Sequence, residues 1–255
     1  MIITDFDSLM GDIPEPLGGD IWHYSGGTPQ KHSILHGRTR FLDALWLPVP
    51  LGQLDPDQVI LINRFREHAI DQDAQFNKAR ASRTVILGTL RRQNVTSVLE
   101  VGCGKFPLAQ EISLSCYQAV EIDEEAILEC QSEGLDVNTV EKLTQCRRDN
   151  QFDVCVALYA MHFKFSEALL EYIARSLKPG GVFIFNVIAI NLEKFIETNQ
   201  SLFNAFPVFR VFKTASLSKR EFFFLAASGS GVNTLDFAAN LDAELVSVGS
   251  VTAGD

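Results

Sequence analysis

From residue 95 to residue 188 the chain alternates short, almost unbroken apolar runs with stretches whose apolar residues recur every three or four positions. The apolar runs are 95–101, 117–122, 152–159 and 182–188. A strand with one wet face alternates polar and apolar side chains, whereas a strand that is apolar on both sides must be covered on both. The intervening stretches read as helices. One spans 107–115, with Pro107 in its first turn. A second spans 126–132, with Asp123 as cap and Glu124 and Glu125 beside the positive helix end. A third spans 166–177, with Leu169, Leu170, Ile173 and Leu177 on one face and Lys178-Pro179-Gly180-Gly181 stopping it. This alternation predicts an α/β fold: a doubly wound, mostly parallel sheet with helices on both faces.

The flanks read differently. Upstream, Asp55-Pro56 supplies a cap followed by a first-turn proline, and helical spacing predicts helices over 56–70 and 73–92. Residues 1–54 read as an irregular leader rich in Gly and Pro. Its Trp22, His23, Tyr24, His32, His36, Phe41 and Trp46 are too many aromatics for a free tail and are expected to pack over something. Downstream, the aromatic-rich segments 206–214 and 220–227 are joined by a polar turn and predict an antiparallel hairpin. Residues 228–255 are small and weakly patterned, with one helix expected over 237–245. The expected organisation is an N-terminal extension over 1–94, a core over 95–227 and a tail over 228–255.

Composition narrows the class. With 22 basic against 32 acidic residues, the net charge of −10 counts against a nucleic-acid partner, which needs a basic field to hold phosphates. The apolar runs are too short to span a membrane. The acidic N-terminus has neither a basic start nor a long apolar stretch, so a cytoplasmic location is expected. The five cysteines (Cys103, Cys116, Cys130, Cys146, Cys155) show no CxxC or Cys/His spacing, so they are expected as reduced thiols with no metal site.

The sharpest motif is Val98-Leu99-Glu100-Val101-Gly102-Cys103-Gly104-Lys105, a buried strand feeding a Gly-x-Gly turn. Glycines there let a ligand approach the backbone closely. Many doubly wound domains have such a turn for purely structural reasons. Glu100 sits just before it, where a carboxylate disfavours a phosphate-bearing ligand and favours a cationic one. Glu121 ends the second strand 19 residues after Gly102, where a carboxylate can accept hydrogen bonds from both hydroxyls of a ribose. A nucleoside without phosphates and with a positive charge fits both acids.

On these residues the sequence resembles the class I S-adenosylmethionine-dependent methyltransferases. The resemblance covers about 95–227. It rests on Leu99-Glu100-Val101-Gly102-Cys103-Gly104, Val120-Glu121-Ile122-Asp123, Phe152-Asp153-Val154-Cys155-Val156-Ala157-Leu158 and Leu177-Lys178-Pro179-Gly180-Gly181, in that order. It implies a Rossmann-like, seven-stranded sheet with a final antiparallel strand, and S-adenosyl-L-methionine as cofactor. By that resemblance Gly102, Cys103 and Gly104 border the methionine part of the cofactor, and Glu100 anchors the loop or, through water, the ammonium group. Glu121 binds the ribose hydroxyls and Ile122 lies against the adenine. Asn138 or Asp136 reads the adenine amino group, and Leu158 and Tyr159 face the methyl end. Asp123 is expected as a helix cap.

Two departures bear on function. Phe106 stands where a third glycine is usual, so it packs on the cofactor or crowds it. The nucleobase-amino-methylating branch carries Asn/Asp-Pro-Pro-Tyr/Phe where this chain has Ala157-Leu158-Tyr159-Ala160. Tyr159-Ala160-Met161-His162-Phe163 looks closer to the small-molecule branch, with His162 as a candidate general base and Tyr159 as a second catalytic candidate. The expected activity is methyl transfer to an O or N atom of a small molecule. A protein or RNA methyltransferase, a methyltransferase-like binding subunit without catalysis, and aminopropyl transfer are the alternatives. In the small-molecule branch the N-terminal segment commonly covers the active site, which makes the aromatic leader, Phe76 and Arg80 candidates for a lid. Oligomeric state is left open.

Overall fold

The computed structural model describes residues 13–26, 28–41, 44–72, 77–145, 148–161, 165–188, 191–213, 221–227 and 244–245. The chain divides into two compact units, 1–76 and 77–255.

The first unit contains a small antiparallel sheet where the sequence suggests an irregular leader. Its strands are β1 (Glu15–Gly18), β2 (Ile21–His23), β3 (Thr39–Phe41) and β4 (Leu45–Leu47), in the order β1-β2-β4-β3. Leu17, Ile21, Leu45 and Leu47 are fully buried, and Trp22 faces Trp46 across β2 and β4. Strands this short show no recognisable alternation, and the pairing joins residues far apart in sequence. That is why the local pattern reads as irregular. Helix α1 (Pro56–Gln72) follows, with proline at its first position as expected. Its start is a reciprocal capping box: the Gln58 N–H donates to Asp55 Oδ1 (2.9 Å) and the Asp55 N–H to Gln58 Oε1 (3.1 Å). Gln58 Nε2 also donates to the Gly19 carbonyl at 2.6 Å, tying the helix to the β1–β2 turn.

The second unit begins with α2 (Asn77–Arg92). There follow β5 (Ser97–Val101), β6 (Cys116–Val120), α3 (Glu124–Ser132), β7 (Val137–Asn138), α4 (Val140–Gln145), β8 (Phe152–Ala157), α5 (Glu167–Ser176) and β9 (Leu177–Ile188). The chain continues through α6 (Leu192–Thr198), α7 (Gln200–Ala205), β10 (Val208–Lys213), β11 (Glu221–Ala227) and β12 (Glu244–Leu245). The sheet order is β12-β10-β11-β9-β8-β5-β6-β7. Strands β7, β6, β5, β8 and β9 pair in parallel, and β11 inserts antiparallel between β9 and β10. This is the expected doubly wound, mostly parallel seven-stranded sheet, with the two-residue β12 added at its edge. Of the helix expected over 237–245, residues 244–245 instead pair with Phe212 and Lys213, and the rest lies outside the described residues.

The apolar runs are explained by two cores, one on each face. Leu99, Cys155, Phe183, Phe185 and Phe224 belong to one. Val98, Val154, Val156, Ile184, Phe223 and Leu225 belong to the other, together with Ile86, Leu87 and Leu90 of α2. Neighbouring residues of one strand therefore enter opposite cores, which is why the runs are apolar at successive positions.

The helix expected over 107–115 shrinks to a single 3-10 turn, Leu108–Gln110. The Leu108 N–H is taken by Glu100 Oε2, and Ser115 turns its hydroxyl back to the Thr96 carbonyl. Serine side chains compete with helical backbone bonds in this way. The motif residues at the far edge of the sheet have a structural role. Asp153 accepts from the Ser97 and Thr96 N–H groups and hydroxyls and from Lys178 Nζ (2.7 Å), stitching the starts of β5, β8 and β9 together. Burial would raise its pKa, but Lys178, Ser97 and Thr96 outweigh that and hold it at about 2.

Candidate active site

β5 delivers the glycine turn at the C-terminal edge of the parallel strands, the edge where doubly wound sheets bind ligands. Gly102 (φ +73°) and Gly104 (φ +56°) both take left-handed backbone conformations that a side chain disfavours. A Cβ on Gly102 would lie 3.1 Å from Ala160 Cβ, so the turn after β8 is pressed against the glycine turn. The Gly102 N–H donates to the Val120 carbonyl at 2.8 Å, fixing the turn to β6.

Two buried carboxylates shape this turn. Glu100 Oε2 accepts from the Leu108 N–H (2.7 Å) and the Tyr117 hydroxyl (2.6 Å), closing the segment after the turn back onto β5. Burial pushes its pKa up and the nearby Glu121 adds to this; Tyr117, Leu108 and Arg83 oppose them. Glu121, 4% exposed, accepts from three backbone N–H groups: Gly104 to Oε2 at 2.8 Å, and Ile122 and Asp123 to Oε1 at 2.7 and 3.1 Å. A carboxylate offers about four lone-pair sites, so Glu121 is held at the mouth of the turn with capacity left for a further donor. Asp123 caps α3 by accepting from the Glu125 N–H at 3.0 Å.

The structure gathers most of the other expected residues around these acids. Asn138 ends the edge strand β7 beside Glu121, whose N–H donates to the Asn138 carbonyl at 3.0 Å. Its side chain donates to Asp136 at 2.7 Å. Asp136 lies at the other end of that short strand, engaged by Gln118 and Arg148. Ile122 is half-buried directly after Glu121. Cys103 turns its thiol into a small core with Ala119, Ile127, Cys130 and Val137, so only its backbone borders the turn. The neighbouring Cys130 thiol, and after it burial, push the Cys103 pKa up. Phe106 stands 53% exposed. Leu158 packs at the border of the α2-side core. His162 and Phe76 lie outside the described residues, as does the side chain of Arg80.

At Tyr159 the backbone is strained. Its φ of +57° is a left-handed conformation that costs a non-glycine residue about 1–2 kcal/mol. The Tyr159 N–H donates to Asn186 Oδ1 at 2.6 Å, and the Tyr159 hydroxyl lies 2.7 Å from Ser82 Oγ and 2.9 Å from Glu221 Oε1. Ser82 and Asn186 are fully buried and Glu221 is 2% exposed. Tyr159 stands within a sequence motif, whereas its partners do not. Asn186 interrupts an otherwise apolar strand, a signal that is visible in sequence. Ser82 and Glu221 come from remote segments and leave no local trace.

Among the described residues no group of three or more His, Cys, Asp or Glu could hold a metal ion, and no helix is long and apolar enough to cross a membrane. Residues 99–185 match the family model described as a methyltransferase domain. No curated protein sequence matches the chain. Solved structures of similar fold include a methyltransferase from Thermotoga maritima described as S-adenosylmethionine-dependent and a possible histamine N-methyltransferase. It has 18% identity and a TM-score of 0.45, covering 65% of this chain and 98% of that one. The N-methyltransferase NodS from Bradyrhizobium japonicum, in complex with S-adenosyl-L-homocysteine, has 15% identity and a TM-score of 0.44, covering 62% and 89%. Spermidine synthase from Thermotoga maritima has 17% identity and a TM-score of 0.43, covering 61% and 59%.

Proposed function

We propose that this chain, whose residues 99–185 match a methyltransferase-domain model, is a class I S-adenosylmethionine-dependent methyltransferase that transfers a methyl group to an O or N atom of a small-molecule acceptor. The observation that carries this is Glu121, buried at the mouth of the glycine turn and bonded to the Gly104 N–H. S-adenosyl-L-methionine, when bound, supplies a methyl group activated on a sulfonium sulfur. This chain's part is to hold it and to align the acceptor. Glu121 takes the ribose hydroxyls, Ile122 the adenine face, Asn138 the adenine edge, and the backbone of Gly102, Cys103 and Gly104 the methionine end. Glu100 keeps the turn in shape. Leu158 and Tyr159 border the acceptor, and His162 is the proposed base.

A small acceptor is favoured by the net charge of −10 and by Leu158-Tyr159-Ala160 in place of a nucleobase-amino-methylating motif. The aromatic leader is the proposed source of acceptor choice, and the cytoplasm the proposed location. One observation favours a second reading, a binding subunit without catalysis: Phe106 occupies the third-glycine position. Calorimetric titration with S-adenosyl-L-homocysteine tests the cofactor site. Glu121→Ala should weaken binding roughly 10- to 100-fold, the worth of a charge-assisted hydrogen-bond pair. Unchanged affinity would remove the ribose assignment. Binding of S-adenosyl-L-methionine without turnover of any acceptor would favour the second reading.

A further inference from the structure

We propose that the buried cluster of Glu221, Tyr159, Ser82 and Asn186 is the acceptor site and that it selects an amine: the Glu221 carboxylate binds the ammonium form and takes up its proton, which frees the nitrogen lone pair for methyl transfer. This rests on the methyltransferase reading and specifies the acceptor class of the same site. Three side chains converge on one oxygen. The Ser82 and Tyr159 hydroxyls lie 2.6 and 2.9 Å from Glu221 Oε1, and Asn186 Nδ2 donates to it at 2.7 Å. The second oxygen, Oε2, accepts no hydrogen bond among the described residues, and no Lys, Arg or His among them pairs with the carboxylate.

A carboxylate this deeply placed is costly without a cation, and neutral donors on one oxygen offset only part of that cost. A ligand ammonium supplies both the missing charge and N–H donors for Oε2. A neutral alcohol supplies one donor and no charge. Position supports the assignment. Asn186 and Glu221 lie on strands β9 and β11 on the face that α2 covers, at the same edge of the sheet as the glycine turn. Tyr159 precedes Ala160, whose Cβ limits the space at Gly102 to 3.1 Å. The strained Tyr159 backbone holds the hydroxyl in the cluster while the next residue touches the cofactor turn.

The test is calorimetric titration of the full chain, saturated with S-adenosyl-L-homocysteine, with two matched pairs: phenethylamine against 2-phenylethanol, and n-butylamine against 1-butanol. The amines should bind at least roughly 10-fold more tightly than their alcohols. Glu221→Gln should abolish that preference while S-adenosyl-L-homocysteine affinity stays as in the unaltered chain. Alcohols binding as well as amines, absence of amine binding, or an undiminished preference in Glu221→Gln would each overturn the proposal. The amine–alcohol contrast in the unaltered chain decides the matter even if the variant does not fold. Failure of S-adenosyl-L-homocysteine to bind would instead count against the cofactor reading, and the amine titration can be repeated without it.

Discussion

A methyl group on Gly181 would stand 3.0 Å from the carbonyl oxygens of Asp153 and Lys178, backbone atoms that cannot swing aside, whereas on Gly102 it would meet only Ala160 Cβ at 3.1 Å. The two glycines should therefore fail differently. Gly181→Ala forces β8 and β9 apart where Asp153 and Lys178 join them, at a cost of about 1–3 kcal/mol. Gly102→Ala carries the left-handed backbone penalty of about 1–2 kcal/mol and shifts the cofactor turn. Melting curves should show the larger fall for Gly181→Ala. Titration with S-adenosyl-L-homocysteine should show the larger loss for Gly102→Ala. The reverse ranking would mean that the motif glycines have been given the wrong roles.

The elements that could be read from sequence are those whose signal is local. Helix α5 shows its amphipathic spacing, and the structure adds a cap at its start, the Leu169 N–H donating to Ser166 Oγ at 3.2 Å. The apolar strands announce two-sided burial, and Asp123 announces α3. What escaped depends on distant partners. The β1–β4 sheet is built from strands of three or four residues. The segment after the glycine turn gives up its helix because Glu100, eight residues before Leu108 and in β5, claims the Leu108 N–H through a bond no spacing rule anticipates. The site divides the same way: Glu100, Gly102, Gly104 and Glu121 stand in two motifs at the ends of successive strands, while Glu221 and Ser82 reach Tyr159 across 62 and 77 positions. At this scale, Asp123→Ala should destabilise the chain by about 1 kcal/mol through loss of the α3 cap. S-adenosyl-L-homocysteine affinity should fall by less than in Glu121→Ala. A larger loss than in Glu121→Ala would make Asp123 a direct ligand.

Across the whole molecule, half-buried Asp153 and buried Glu100 impose opposite pH dependences. Asp153 is held near pKa 2, below its usual 3.8, so the unfolded chain binds the proton more readily. Its stabilisation is present above pH 3.8 and is lost as pH falls toward 2. Glu100 is raised above its usual 4.5, so the folded chain binds the proton more readily. Its contribution therefore lowers stability as pH rises from 4.5 through the raised value. Glu100→Gln stays neutral and keeps an acceptor for Leu108 and Tyr117, so the decline in melting temperature with rising pH should be shallower than in the unaltered chain. An identical decline would place Glu100 in a solvated environment. The acidity of the chain thus has distinct local places: Glu100 shapes the turn, while Glu121 is the proposed ribose ligand and Glu221 the proposed acceptor ligand. The two proposed ligand roles depend on one premise, which calorimetric titration of the full chain with S-adenosyl-L-homocysteine tests directly. The expected result is saturable one-to-one binding that Glu121→Ala weakens; absence of binding, or binding indifferent to Glu121→Ala, would contradict it.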